Sequence, residues 1–141
     1  MTANDDELFG HEHVRVYRET GGERGYHWQG ATILLLTTTG RKSGEPRTMP
    51  LIHRTDGDRW VVVASKGGWP HDPIWFKNLQ GDPNATVEVR DEKVPVRAYV
   101  AEGEERERLW KLMNEDWPAY DSYQANTDRQ IPQAKWWEGG R

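Results

Sequence analysis

The chain has 141 residues, with 23 acidic residues against 19 Lys and Arg and no cysteine. That length suits one ordinary domain with a real core. The net charge of −4 excludes a global basic footprint for nucleic acid, and the missing thiols exclude disulfides, thiolate metal sites and a cysteine nucleophile. No apolar run approaches the roughly 18 residues of a membrane span. The opening MTANDDELFGHEH is acidic and polar, unlike a secretory signal, so a reducing, cytoplasmic setting is expected. Eight Trp and five Tyr stand against two Phe, and such rings carry both a packing face and a polar tip.

In chain order, residues 4–19 predict a charged helix with Leu8, His11, Val14 and Tyr17 at helical spacing, stopped by Gly21-Gly22. Residues 1–22 thus form a helix and lead-in to a single domain over 1–141. The run ATILLLTT at 31–38 predicts a strand buried on both faces. GRKSGE at 40–45 is a turn, Arg47–Arg54 a second strand, Asp56-Gly57 a hairpin turn and RWVVVAS at 59–65 a third strand. After the loop SKGGWPHDP, Asp72 predicts an N-cap with Pro73 at the first helical position, and the helix runs to Leu79 and ends at Gly81. ATVEVR at 85–90 and residues 93–101 read as two further strands. A helix over Glu104–Asp116 has Leu109, Leu112 and Met113 as its apolar stripe and acids in its first turn. WPAYDSYQANT at 117–127 is short and irregular or helical, and the tail RQIPQAKWWEGGR carries no single signal. The order predicts a mainly β (α+β) protein: a small antiparallel barrel with flanking helices, with an open α+β sheet as the alternative.

Three clusters could carry chemistry. Gly40-Arg41-Lys42-Ser43-Gly44-Glu45-Pro46-Arg47 places three cations around two glycines. Gly allows close backbone approach and an anion nest, Arg grips phosphate as a fork and Lys as a point charge. The Walker A spacing is absent, and a solvated basic hairpin turn is the plainer alternative. Ala64-Ser65-Lys66-Gly67-Gly68 follows an apolar strand and offers backbone donors, a hydroxyl and a cation, or simply a loop needing positive φ. A hairpin joins the strands that carry these clusters, so their cations could converge on one anion. Trp117, Tyr120 and Tyr123 share a face if their segment is helical, either closing the core or presenting phenols to a ligand. The five His are too dispersed to argue a metal site.

In one chain, ILLLTTTGRKSGEPRTMPL, VVVASKGGWPHDPIWFKNL, ERLW and WPAYDSYQANTDRQIP resemble the deazaflavin-dependent nitroreductase family over roughly residues 14–132. That resemblance implies a split β-barrel binding coenzyme F420. It implies that Lys42 and Arg47 are the main cations for the cofactor's phosphate and acidic tail, with Arg41, Ser43 and Gly44 shaping the turn. Pro50 would lie near the ring, and Ala64, Ser65, Lys66, Gly67 and Gly68 would line it from the other side. Trp75, Asn78 and Leu79 match the helix beside the cofactor. Tyr120 and Tyr123 match aromatic positions facing substrate. Trp117 stands where a member of the family has tyrosine.

The expected activity is hydride transfer from reduced F420 to a small electrophile such as a quinone, enone or nitroarene. Proton delivery would come from Tyr120, Tyr123 or water, with Ser65 as a third catalytic candidate. A local cationic groove is required even at negative net charge, because the cofactor carries a phosphodiester and glutamyl carboxylates, while its flat ring needs an apolar slot. FMN in the same barrel is the second enzymatic reading, and a non-catalytic deazaflavin or lipid carrier the third. The resemblance leaves open a homodimer and peripheral membrane association through the amino-terminal helix. No metal is expected.

Overall fold

The computed structural model describes residues 5–64, 73–125, 127, 130–131 and the backbone of 133–138. Among these residues seven antiparallel strands carry the architecture: β1 (His27–Trp28), β2 (Ala31–Thr39), β3 (Pro46–Asp56), β4 (Arg59–Val63), β5 (Asn84–Val89), β6 (Glu92–Val100) and β7 (Gln133–Glu138). Their order in the sheet is β1-β2-β3-β4-β7-β6-β5, and β2 also pairs with β5. Strands β2-β3-β4-β7-β6-β5 therefore form a closed cycle, with β1 appended. Leu35 of β2 sits opposite Pro50 of β3 on one side and Glu88 of β5 on the other. The barrel expected from the short strands and tight turns is the one formed, and the open sheet is not.

Among the described residues four α-helices flank it: α1 (Gly10–Glu19), α2 (Ile74–Gly81), α3 (Gly103–Asp116) and α4 (Ala119–Ala125). They explain why β2 reads as apolar at nearly every position. Leu34 and Leu36 point into a core with Val62, Val87, Val96 and Trp75, Phe76 and Leu79 of α2. Ile33 and Leu35 point the other way, under Val14 and Tyr17 of α1. Each face of the strand is thus covered by a different helix, and each fully buried Leu contributes about 1.5–3 kcal/mol. A third cluster seats Val61 and Val63 of β4 on Leu109 and Met113 of α3, Tyr120 of α4 and Ile131.

The structure corrects several details. Helix α1 begins at Gly10, so buried Leu8 precedes it, and His11 is exposed while His13, Val14, Val16 and Tyr17 are buried. The inward polar groups are satisfied: His13 Nε2 lies 2.8 Å from the Gly25 carbonyl. Tyr17 donates to the Ile33 carbonyl at 3.0 Å and accepts from the Arg90 N–H at 2.7 Å. Burial pushes the Tyr17 phenol up to about 12. Pro73 occupies the cap of α2 in extended conformation with Ile74 opening the helix, one position later than expected; Asp72 lies outside the described residues. The ambiguous tail supplies β7. The two-residue β1 is too short for any periodicity to reveal. No helix among the described residues is long and apolar enough to cross a membrane.

Candidate functional site

A cleft of about 870 Å³ opens where the 40–43 turn, strand β3, the start of α2 and the α3–α4 corner meet. Its two ends differ in chemistry. One end is the basic turn. The Gly40 N–H donates to the Glu45 carbonyl at 2.8 Å, the Gly44 N–H donates to the Gly40 carbonyl at 2.8 Å, and the Glu45 N–H donates to Ser43 Oγ at 3.2 Å. Space at Gly40 is minimal: an added Cβ would lie 2.7 Å from Ser43 Oγ and 3.1 Å from the Glu45 carbonyl oxygen. Gly44 has φ +71°, a left-handed conformation that favours glycine.

The turn is tied to α2 through Asn78. Its Oδ1 accepts from the Arg41 backbone N–H at 3.2 Å and its Nδ2 donates to Thr38 Oγ1 at 3.1 Å. The Asn78 side chain is buried, and the two halves of its amide tie the turn and the end of β2 to the helix. Arg41, Lys42 and Arg47 are exposed on this rim, and none forms an ion pair among the described residues. Pairing of Arg47 with Thr38 across the β2–β3 ladder brings it back alongside the turn.

The other end is aromatic. Trp117 caps α3, and Tyr120 and Tyr123 follow on α4; all three line the cleft. The Tyr120 and Tyr123 rings meet edge to face, centroids 6.1 Å apart. Burial, with Tyr123 and Asp116 nearby, pushes the Tyr120 phenol well above its ordinary value. Trp28 stacks on Trp117 with centroids 5.7 Å apart and planes 20° from parallel. Leu8, Phe9 and His13 complete this end. Between the two ends lie the apolar or weakly polar side chains of Met49, Pro50, Leu51, Ile52 and Ile74.

Of the residues singled out in the sequence, Arg41, Lys42, Ser43, Arg47, Pro50, Trp75, Asn78, Tyr120 and Tyr123 line this one cleft. Three do not. Gly44 shapes the turn, Leu79 packs in the core beneath α2, and Ala64 is fully buried at the end of β4. Ser65, Lys66, Gly67 and Gly68 lie outside the described residues. Sequence reasoning missed Trp28, Phe9 and His13. The surplus of Trp was the available signal, but it pointed to no position.

The arrangement matches a ligand with an acidic end and a flat apolar body: exposed cations at one rim, a slot lined mostly by apolar side chains, and phenols at the far wall. Comparison with known proteins agrees. The family model described as F420H(2)-dependent quinone reductase matches residues 9–134. The F420H(2)-dependent quinone reductase Rv1261c of Mycobacterium tuberculosis is 40% identical over 124 residues, covering 85% of this chain and 83% of the relative. A solved F420-H2 dependent reductase, FDR-A, superposes with TM-score 0.69 at 44% identity, covering 74% of this chain and 92% of that one. A second solved structure, described as a domain-swapped dimer, gives TM-score 0.72 at 39% identity over 87% of this chain and 92% of that one.

Proposed function

The chain belongs to the family of F420H(2)-dependent quinone reductases, and from that premise we propose that it binds reduced coenzyme F420 across this cleft and reduces a small electrophile at the aromatic end. The observation that carries the reading is the pairing of a cationic glycine turn with an apolar slot in one cleft. Quinones are the first substrates to test, and enones or nitroarenes come second; the nitroreductase label suggested by the motifs is a looser relation.

The residues fit the cofactor. Lys42 and Arg47 would hold its phosphate and carboxylates, and within the turn the Lys42 and Ser43 backbone N–H groups, which have no acceptor among the described residues, would be the ones to approach it. The ring would lie along Met49 and Pro50. When bound, the reduced deazaflavin supplies the hydride. The chain then has two tasks: excluding water with the aromatic wall, and stabilising the oxyanion that hydride addition leaves on the substrate. Tyr123, half-buried at the wall, would donate the proton. Tyr120 is suited to hydrogen bonding without ionising, because its phenolate would sit desolvated beside Asp116. Ser65, outside the described residues, is kept as a proposed catalytic contact on the strength of the family resemblance.

The experiment is a fluorescence titration of the purified chain with F420 beside FMN, followed by anaerobic oxidation of the bound reduced cofactor by menadione. Preference for FMN would replace the cofactor assignment, and tight F420 binding without turnover on any acceptor would make the chain a carrier. The same proposal includes self-association, supported by the dimeric relative and tested by light scattering. It also includes a cytoplasmic setting with at most peripheral membrane contact through Phe9 and Ile74, both exposed at the mouth, tested by flotation with vesicles.

A further inference from the structure

We propose that Trp28 is a positioning residue for Tyr123, acting through Trp117 to turn the Tyr123 hydroxyl into a dedicated donor toward the substrate; this rests on reading the aromatic end as the electrophile's subsite. The chain of contacts starts at the amino-terminal lead-in. The Trp28 Nε1–H donates to the Leu8 carbonyl at 3.0 Å, and the His13 ring lies 6.1 Å away at a 43° tilt. These contacts fix the Trp28 indole, on which Trp117 stacks at 5.7 Å. Trp117 has its backbone held separately: its N–H donates to the Met113 carbonyl at 3.1 Å as the cap of α3. The helix therefore sets the Trp117 main chain, while Trp28 sets its ring. From there the Trp117 Nε1–H reaches Tyr123 Oη at 3.4 Å.

The consequence is one of donor and acceptor inventory. An indole N–H can only donate, so Tyr123 Oη accepts in that contact. The Tyr123 hydrogen must point elsewhere, and Tyr123 makes no other hydrogen bond among the described residues while lining the cleft. An unconstrained phenol can turn either its hydrogen or its oxygen lone pairs toward a ligand. Held this way, it favours planar substrates that present an acceptor oxygen at the ring edge, such as a quinone carbonyl. Trp28 touches no atom of Tyr123 in this scheme; its effect travels through the indole stack.

The test uses menadione binding to the cofactor-free chain by isothermal titration, near-ultraviolet circular dichroism, and F420 affinity in parallel. Trp28→Leu and Trp117→Phe are each expected to weaken menadione binding about threefold to tenfold, the value of one hydrogen bond, and to abolish the signal of coupled indoles. Trp28→Phe, which keeps a stacking ring, restores most of the affinity. In a Tyr123→Phe background, Trp28→Leu has no further effect, because the group it positions is gone. Losses that multiply in the double variant, or parental menadione affinity in Trp28→Leu, would overturn the proposal. Should Trp28→Leu fail to fold, Trp117→Phe with Tyr123→Phe supplies the same cycle. Failure of the parent to bind F420 strikes the cofactor reading alone, since the menadione cycle is run without it.

Discussion

The side-chain oxygen of Asn78 accepts a hydrogen bond from the backbone N–H of Arg41 at 3.2 Å. A buried amide on a helix thereby sets the position of an exposed basic turn. The relationship separates two kinds of residue that a motif cannot distinguish: those that touch an anionic ligand and those that hold the residues that do.

Asn78→Ala removes the acceptor for Arg41 and the donor to Thr38 together. The expected cost is about 1–3 kcal/mol in stability, because buried polar partners are left unpaired. F420 affinity should fall as well, through the loosened turn. Urea denaturation and cofactor titration check both. Lost affinity at unchanged stability would place Asn78 in direct contact with the ligand instead.

Lys42→Ala and Arg47→Ala should each weaken F420 binding by roughly tenfold to a hundredfold, as charge-assisted hydrogen bonds are lost. Parental affinity should decline with rising salt, because these exposed charges are screened, and the salt dependence should be shallower in each variant. Titrations at two ionic strengths measure both effects. Parental binding in both variants would remove the turn from the cofactor site.

The two tyrosines should differ. Tyr123→Phe is expected to slow single-turnover oxidation of bound reduced F420 by menadione on the order of a hundredfold, with cofactor affinity kept. Tyr120→Phe should cost less, because burial raises the pKa of that phenol and makes it the poorer acid. Equal rates in the parent and both variants would assign the proton to water.

His53 predicts an acid sensitivity unrelated to the cleft. It is buried, its Nδ1 is the sole buried side-chain nitrogen or oxygen among the described residues without a hydrogen-bond partner, and burial pulls its pKa from 6.5 down to about 4. Between those values the unfolded chain binds a proton that the folded chain refuses. Stability from this group is therefore intact above pH 6.5 and falls as pH drops toward 4, by about 3 kcal/mol in all. His53→Leu should reduce the difference between urea midpoints at pH 7.5 and pH 4.5. An unchanged difference would show that the carboxylates alone set the acid response.

Much of this was legible in the sequence where local chemistry and final position coincide. The ATILLLTT run had to be a doubly covered strand, and GRKSG had to be a turn, because no regular element tolerates that composition. The three-residue spacing of Trp117, Tyr120 and Tyr123 anticipated a shared wall, although Trp117 reaches it as the cap of α3 rather than from within α4. Trp28 was illegible: it sits in a two-residue strand, and its meaning comes from Trp117, far along the chain. His13 takes the inward place expected of His11: it is buried with Val14, Val16 and Tyr17, and its Nε2 meets the Gly25 carbonyl, a contact from beyond the helix that spacing within it does not reveal. Asn78 lines the cleft as the family resemblance implies, while its hydrogen bonds to Arg41 and Thr38 were not legible, because only the packed helix brings those partners within reach.

Strand β7 is the latest of the seven in chain order, yet it sits between β4 and β6, pairing Val62 with Ala134 and Ala98 with Trp136. Barrel closure therefore requires a strand from the end of the chain order to insert between two that precede it. Until β7 inserts, β4 and β6 each present a row of unpaired backbone groups, which is a template for another chain. Closure must also bridge a long sequence separation, which slows folding. The vacancy between β4 and β6 accepts any strand of matching register, so it sets a kinetic contest between self-insertion and insertion of a neighbour's β7. High chain concentration during refolding favours the neighbour; dilution favours the monomer.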